Sequence, residues 1–308
     1  MKTILVTLCA VISASVFTQE IKNHKLKTKA STFEINVLSS DVLIKGYNGD
    51  EIIVKETIEV SDDVGNHKVF FIETDDHNIS EDFDISFDSK SKESSKTKEK
   101  EERRKGLKPI KKEMNSDSQT TLKEKDDKVI LTNFSSNGGD LHRIMLTDFN
   151  KSKFEIKVPN KMKIVVKKGK GISPFMLGKD TQFKIENFKG EIEIASLNQD
   201  VVLENVSNSA LVNTMLGDIE ATFNDLDQDA VISLISTAGF VDISVPSKEN
   251  ITFDLESMTG EILTNLDLKA KGEKNTSAFR QKYKANYNGG GKVIHLKSTA
   301  GDIYIRKE

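Results

Sequence analysis

The sequence of 308 residues contains no tryptophan, only four tyrosines and a single cysteine. That cysteine, Cys9, lies inside an apolar N-terminal stretch rather than at its end, where a lipid-attachment cysteine would stand. The rest of the chain can form no disulfide, so its stability must come from packing and hydrogen-bonded ladders. The formal net charge of −3 is small for this length and gives no reason to expect nucleic acid as a partner.

Long hydrophobic runs are also missing, with one short exception at the N-terminus. Residues 1–18 have the pattern of a signal peptide, because Lys2 precedes an apolar stretch over residues 4–14. About a dozen apolar residues are too few to span a hydrocarbon core of roughly 30 Å. We therefore expect export, with cleavage after Ser15 or Thr18 and no transmembrane segment afterwards. The predicted location is the cell surface, the extracellular space or the periplasm.

Apolar and polar residues alternate with a period of two over residues 33–60 and again from residue 154 onward, which is the pattern of β-strands. Amphipathic helical periods of useful length do not separate these strands. The pattern therefore argues against a doubly wound α/β sheet, because its parallel strands need crossover helices.

Residues 89–128 interrupt the strand pattern with a run of Lys, Glu, Ser, Asp and Thr. Such a segment cannot bury enough apolar surface to offset chain entropy, so we expect a disordered or partly helical insertion. Its basic residues could contact acidic polymers, but a solvated spacer is favoured because acids are interspersed and aromatics are absent. The predicted organisation is a signal peptide (1–18), N-terminal β coils (19–88), the charged insertion (89–128) and a main β-solenoid (129–308).

A glycine followed by an acid and an Ile or Val recurs through the second half of the chain. It centres on five residues that we interpret as structural corners: Gly190, Gly217, Gly239, Gly260 and Gly301. Gly217, Gly239 and Gly260 are 22 and 21 residues apart, and the next step is 41, which we interpret as two coils of which one has lost its glycine. Glycine at a corner allows backbone angles that are closed to other residues.

Repeats of this length are typical of solenoids, in which each unit buries its apolar face by stacking on its neighbours. We predict an all-β, single-stranded parallel β-helix or β-solenoid with coils of about 21 residues and two short strands per coil. An antiparallel β-sandwich is the alternative, since the strands also recur at its usual spacing. Recurrence of the glycine signature at every second strand favours the solenoid.

The corner sequences resemble the DUF4097 family of secreted bacterial, adhesin-like proteins. The resemblance lies in Ser236-Thr237-Ala238-Gly239-Phe240-Val241, Ser257-Met258-Thr259-Gly260-Glu261-Ile262, Ser298-Thr299-Ala300-Gly301-Asp302-Ile303 and the early Ile44-Lys45-Gly46-Tyr47-Asn48-Gly49-Asp50-Glu51-Ile52. It implies a β-helix-like fold and a binding role, and it extends over residues 33–60 and 150–308. Phe240 departs from the pattern, because an acid usually follows the glycine.

The sequence predicts no catalytic, cofactor-binding or metal-binding residues. The histidines have no paired spacing; they are His24, His67, His77, His142 and His295. Asp225, Asp227 and Asp229 alternate like the start of a calcium loop, but its glycine and closing glutamate are missing, so only a looser calcium site stays open.

Acids that follow the corner glycines could stack about 4.8 Å apart, which allows the carboxylate spacings of glycosidases. These acids are Glu191, Asp218, Glu261 and Asp302. Their repetition at every corner favours a structural role. Carbohydrate clefts also tend to use aromatic platforms, which are scarce in this chain.

We expect an exported, non-catalytic, adhesin-like protein that binds an unknown protein or glycan of the cell envelope, host or matrix through an extended strand surface. One alternative is a periplasmic or envelope scaffold that self-associates through an uncapped terminal coil containing Ile303 and Ile305. A carbohydrate-active enzyme is the third possibility.

Overall fold

The computed structural model describes residues 19–37, 40–59, 120–133, 152–167, 181–271, 275–277 and 280–308. The strands are β1 (Gln19–Lys27), β2 (Thr32–Asn36), β3 (Ser40–Tyr47), β4 (Glu51–Glu59), β5 (Thr121–Lys125), β6 (Lys128–Thr132), β7 (Ser152–Pro159), β8 (Lys163–Val166), β9 (Gln182–Glu186), β10 (Ile192–Ser196), β11 (Asp200–Glu204), β12 (Ala210–Thr214), β13 (Ile219–Thr222), β14 (Ile232–Ser236), β15 (Val241–Val245), β16 (Ile251–Ser257), β17 (Ile262–Thr264), β18 (Lys269–Ala270), β19 (Asn275–Ser277), β20 (Arg280–Tyr287), β21 (Lys292–Ser298) and β22 (Ile303–Lys307). The predicted all-β class is confirmed.

Two open sheets face each other, and each coil contributes one strand to each sheet. Sheet A has the order β1-β4-β7-β3-β9-β11-β13-β15-β22-β17. Sheet B has the order β18-β20-β16-β21-β14-β12-β10-β8-β2-β6-β5, and β19 also pairs with β20. Neighbouring strands in the body of both sheets are parallel, as in β9, β11, β13 and β15. The predicted parallel solenoid is therefore confirmed over the antiparallel sandwich.

The core lies between the sheets and is built from alternate residues of each strand. In β14, for example, Ile232, Leu234 and Ser236 are buried while the residues between them face outward. Six phenylalanine rings are fully enclosed in this core: Phe33, Phe154, Phe183, Phe188, Phe223 and Phe253. Branched and aromatic residues suit a pleated, half-buried surface, which is why the period of two folds as strands.

Asparagines turn the chain out of two successive strands of sheet A. Asn187 follows β9 and Asn205 follows β11, and both have a φ of 53°. Asparagine tolerates this left-handed conformation better than most residues. The Asn205 amide also donates to Asn187 Oδ1 at 2.6 Å, which links the two stacked turns.

The order of coils in the stack differs from their order in the sequence. The turn β21–β22 pairs with β14 and β15 on one side and with β16 and β17 on the other. At the other end, β2–β3 lies between β6–β7 and β8–β9. The first and last parallel turns of the described chain are thus enclosed by segments from its interior.

This order corrects the interpretation of the 41-residue step. Gly301 lies between Gly239 and Gly260 in the stack, so no coil with a lost glycine separates Gly260 from Gly301. The intervening residues instead contribute β18, β19 and β20, which are antiparallel to the strands they pair with. Counting the residues between glycines cannot reveal antiparallel strands that are inserted between two coils.

Antiparallel strands close both ends of the stack. At one end β1 pairs with β4, β4 with β7 and β5 with β6; at the other β20 pairs with β16. The expectation of an uncapped terminal coil at Ile303 and Ile305 is wrong, because β22 lies inside sheet A and both side chains are buried. Substituting them would damage the core rather than report on self-association.

One predicted boundary also changes. The insertion predicted over residues 89–128 is too long at its C-terminal end, because residues 120–128 include β5 and the turn that leads into β6. Leu122 packs against the core. The sequence did not indicate this contact, because the residues around Leu122 are mostly charged. The predicted signal peptide (residues 1–18) and residues 60–119 lie outside the described residues.

Candidate binding surface

The five corner glycines occupy two different corners of the solenoid. Gly217, Gly239, Gly301 and Gly260 form one row where the chain passes from sheet B to sheet A, whereas Gly190 precedes β10 of sheet B. None of the five has a positive φ. A Cβ atom added to any of the five would lie closer than 3.0 Å to a backbone carbonyl oxygen. For the four glycines of the row, this carbonyl belongs to the neighbouring coil. The corners therefore need glycine for its missing side chain rather than for special backbone angles.

A buried row of hydroxyl groups runs beside these glycines, and we did not predict it. Ser236 accepts the Gly239 N–H at 2.9 Å and donates to the carbonyl of Gly217, in the previous coil, at 2.9 Å. Ser298 repeats this arrangement, accepting from Gly301 at 2.9 Å and donating to Gly239 at 2.8 Å. The signal was present in the sequence as a Ser or Thr three residues before each glycine of this row.

Carboxylates after the corners bond to the backbone of the next coil. Asp200 accepts the Asp218 N–H at 2.9 Å, Asp218 accepts the Phe240 N–H at 2.9 Å, and Asp302 accepts the Glu261 N–H at 2.8 Å. Burial raises the pKa of Asp218 and the charge of Asp200 adds to this, although the bond from Phe240 opposes both.

The predicted stacking of four acids does not form. Phe240 stands between Asp218 and Asp302 in the stack, and Glu191 lies at the sheet B corner near Lys163. Only Asp302 and Glu261 are direct neighbours among the four. The arrangement does not resemble the repeated carboxylate pairs that stacking at every corner would give.

Histidines and aspartates form no metal site in the part of the chain that the structure describes, where no group of three or more His, Cys, Asp or Glu side chains could hold an ion. His24 lies on β1 and His295 on β21, while His67, His77 and His142 fall outside the described ranges. Asp225, Asp227 and Asp229 are exposed between β13 and β14. Over the same described ranges, no helix has the length and hydrophobicity needed to cross a bilayer.

An exposed apolar patch lies on the outward side of sheet B. It consists of Leu211 on β12, Val231 beside β14 and Val293 on β21, which are 42%, 55% and 53% exposed. Ser233 on β14 pairs with Leu211 on the neighbouring strand β12, so a small polar side chain lies beside the leucine. We call these three apolar residues the apolar patch.

Polar and charged side chains flank the apolar patch. On β16 Thr252 pairs with Val293, and on β10 Glu193 pairs with Leu211 and lies 2.9 Å from Lys163.

Further along β16 and β21, Glu256, only 7% exposed, accepts from Arg280 at 2.8 Å and lies 3.0 Å from Lys297. The Arg280 hydrogen bond lowers the pKa of Glu256 against the effect of burial, and Lys297 adds to this.

Strand pairing explains why the sequence did not reveal the apolar patch. Leu211 alternates with the buried Ala210, Val212 and Thr214, so it must face outward, but in sequence it looks like any other strand leucine. Val231 and Val293 come together only because β21 pairs with β14 across about 60 residues of chain. The enclosed position of β21–β22 thus helps to build the patch.

Comparison with known proteins finds one family model that matches part of this solenoid. Residues 176–306 match the model of the family described as Toastrack DUF4097. The predicted resemblance to DUF4097 is therefore confirmed over these residues. No curated protein matches the chain.

Two crystal structures show some similarity over most of the chain. One is a "putative cell adhesion protein" from Clostridium sporogenes, with 11% identity, a TM-score of 0.43, and coverage of 95% of this chain and 100% of that chain. The other is a "putative adhesin" from Bacteroides fragilis, with 12% identity, a TM-score of 0.33, and coverage of 94% and 97%.

We expect Gly239→Ala to lower the free energy of unfolding by about 1–3 kcal/mol, because its methyl group would meet the Gly217 carbonyl. Thr237→Ala, at an exposed position in the same corner, is the control and should change stability by less than about 0.5 kcal/mol. Urea denaturation followed by circular dichroism measures both. Equal stabilities of the two variants would contradict the close-approach argument.

We expect Glu256→Gln to lower the free energy of unfolding at pH 7 by about 1–2 kcal/mol, since two cations would lose their shared carboxylate. A lowered folded-state pKa stabilises the fold above the ordinary value of 4.5, and this contribution is lost as the pH falls through the folded pKa. The difference between variant and wild type should therefore shrink in urea titrations below that value. Glu193→Gln is the exposed control, and a pH-independent difference would refute the assignment.

Proposed function

We propose that this protein is an exported, non-catalytic, adhesin-like binding protein that contacts its partner through the outward face of sheet B. The observation that carries this proposal is the apolar patch, which exposes three large apolar side chains on one face of the sheet. Apolar surface of this kind, rimmed by polar groups, is a common mark of interaction sites. The match of residues 176–306 to the DUF4097 model agrees with the proposal without naming a partner.

The size of the apolar patch limits the strength of a single contact. Burying it would remove on the order of 200 Å² of apolar surface from water, which corresponds to about 5 kcal/mol before the costs of association. Those costs would leave one patch a weak binder. Useful adhesion would then come from several such contacts acting together, as multivalent binding allows.

Self-association through the ends of the stack is less well supported. The end strands of both sheets are short or charged: β17 has three residues, β18 has two, and β5 contains Lys123, Glu124 and Lys125. Short and charged edges hinder strand addition. The surface available to a partner is therefore a sheet face rather than a sheet edge.

A carbohydrate-active enzyme is also less well supported. The carboxylates of Asp200, Asp218 and Asp302 are engaged by backbone N–H groups of neighbouring coils, which fixes them in structural roles. The interruption at Phe240 further separates the acids that such an enzyme would need in pairs.

We expect the triple variant Leu211→Ser, Val231→Thr, Val293→Thr to bind at least about tenfold more weakly than wild type, because the apolar contact area is removed. The probes are envelope fractions of the native host and panels of immobilised matrix proteins and glycans, measured by biolayer interferometry. Leu263→Ser, which removes an equally exposed side chain from sheet A, is the matched control. Thermal unfolding must show that both variants are folded. Equal binding by the triple variant and wild type would overturn the role of the apolar patch.

Export is tested by protease treatment of intact host cells, followed by detection of the chain with an antibody. We expect digestion on intact cells, because the N-terminal sequence predicts export and the proposed partner is external. A cytosolic protein must stay protected in the same samples. Protection of the chain until the outer envelope is opened would rule out an external adhesive role.

A further inference from the structure

One row of outward side chains crosses the middle of sheet B in continuous register. Each residue pairs with the next one on the neighbouring strand, from β8 through β10, β12, β14 and β21 to β16: Val165, Glu193, Leu211, Ser233, His295 and Asp254. We call these residues the central row. Its two middle members, on β12 and β14, are uncharged, and the apolar patch lies on or beside β12, β14 and β21.

Acids and bases lie at matching distances on the two sides of the central row. The midpoint falls between β12 and β14, so Glu193 on β10 and His295 on β21 are equally far from it. Beyond the ends of the row, Glu34 on β2 pairs with the residue on β8, and Lys284 on β20 pairs with the residue on β16. These two are again an acid and a base at equal distances. A copy of the row turned over at its midpoint would therefore set opposite charges together.

We propose that the partner of the apolar patch is a second copy of this chain, bound face to face through sheet B. This inference rests on the proposed function, because it names the partner of the same face. The two-fold axis lies in the interface, parallel to the strands and between β12 and β14. Each strand then covers its counterpart on the other side of the axis, so β12 lies over β14, β10 over β21 and β8 over β16 of the second copy. The same surface is used by both copies, as in isologous interfaces.

This arrangement sets Glu193 opposite His295 of the second copy, once on each side of the axis. An imidazole N–H can donate to a carboxylate whether or not the histidine is charged. Within its own copy, His295 Nδ1 lies 3.9 Å from Asp254 Oδ2, which is too long for a hydrogen bond. Leu211 and Val231 lie beside the axis, so the two apolar patches meet at the centre of the interface. Apolar contact is therefore central, and the polar contacts surround it.

Other symmetric arrangements of the same two faces are less favourable. An axis along the central row, perpendicular to the strands, would set Glu193 over Glu193 and Asp254 over Asp254 of the second copy. An axis on β14 would set Glu193 over Asp254, and an axis on β12 would set Glu34 over Asp254. A shift by a whole strand would set Leu211 over Asp254 or Glu193. Like charges and charges buried against leucine both oppose association, so the register favours the axis between β12 and β14.

The area of this interface fits a weak, reversible dimer. Eight strands, from β20 to β2, lie symmetrically about the axis. At about 4.8 Å per strand, with about five residues of about 3.3 Å in each strand, their overlap covers about 600 Å² per copy. Standard interfaces bury roughly 800 Å² per partner. Packed sheets also cross at about 30°, so the central strands make the closest contacts. Many such dimers acting together would give firm adhesion between surfaces that carry this chain.

The test is analytical ultracentrifugation of the purified protein at micromolar to millimolar concentrations in about 50 mM salt, where screening is weak. We expect a reversible wild-type dimer. An acidic variant, His295→Glu, and a basic variant, Glu193→Lys with His295→Lys, should each dimerise at least about tenfold more weakly, because like charges then face each other. Mixing the two variants should restore association as a heterodimer, since opposite charges face each other at both contacts. A change confined to one copy would not produce this recovery.

Glu204→Lys is the matched control, because Glu204 is as exposed as Glu193 (48% and 50%) and pairs with Lys184 at 2.7 Å, but lies on sheet A. It should leave the dimer constant unchanged, and thermal unfolding must show that each variant is folded. The triple variant of the apolar patch should also lose the dimer, which provides a second readout. A wild type that stays monomeric, or folded acidic and basic variants that do not associate when mixed, would overturn the dimer. If the triple variant still lost binding to envelope fractions or to the immobilised panels, the proposed function would stand without it.

Discussion

The close approach of successive coils at the sheet B to sheet A corner is the contact on which the rest of the structure depends. Each glycine of the row leaves room for the carbonyl of its neighbour, and hydroxyls such as Ser236 and Ser298 bridge one coil to the next. Because a buried hydroxyl without a partner is costly, this row fixes the register of every coil it joins. The fixed register also decides which side chains become neighbours on each outer face.

Stacking creates a problem at the two ends, where a coil has a neighbour on one side only. The chain solves it by enclosing its first and last parallel turns and by laying antiparallel strands over the outer coils. The end segments are therefore held by interior ones, and β22 cannot leave without breaking pairs on both sides. Glu256 strengthens this closure, since it ties β16 to both β20 and β21 through Arg280 and Lys297.

Local patterns predicted the architecture, because alternation and the corner glycines report interactions within one coil or between successive coils. They could not predict the order of the stack, since Gly301 looks like a distant repeat of Gly260 although the two are adjacent. The apolar patch was missed for the same reason: Val231 and Val293 become neighbours only through long-range pairing. The Ser or Thr residues of the hydroxyl row recur visibly in the sequence. Their role could not be predicted, because each hydroxyl donates to a carbonyl of another coil.

The two faces of the solenoid differ in chemistry, and this difference bears on how the protein could act. Sheet B exposes the apolar patch, whereas the outward side of sheet A exposes charged side chains such as the pair of Asp242 and Arg306. An apolar contact on the order of 200 Å² is too small to bind firmly alone. Firm binding through sheet B would therefore require several such contacts at once, so the proposed adhesive role depends on multivalency rather than on the strength of one patch.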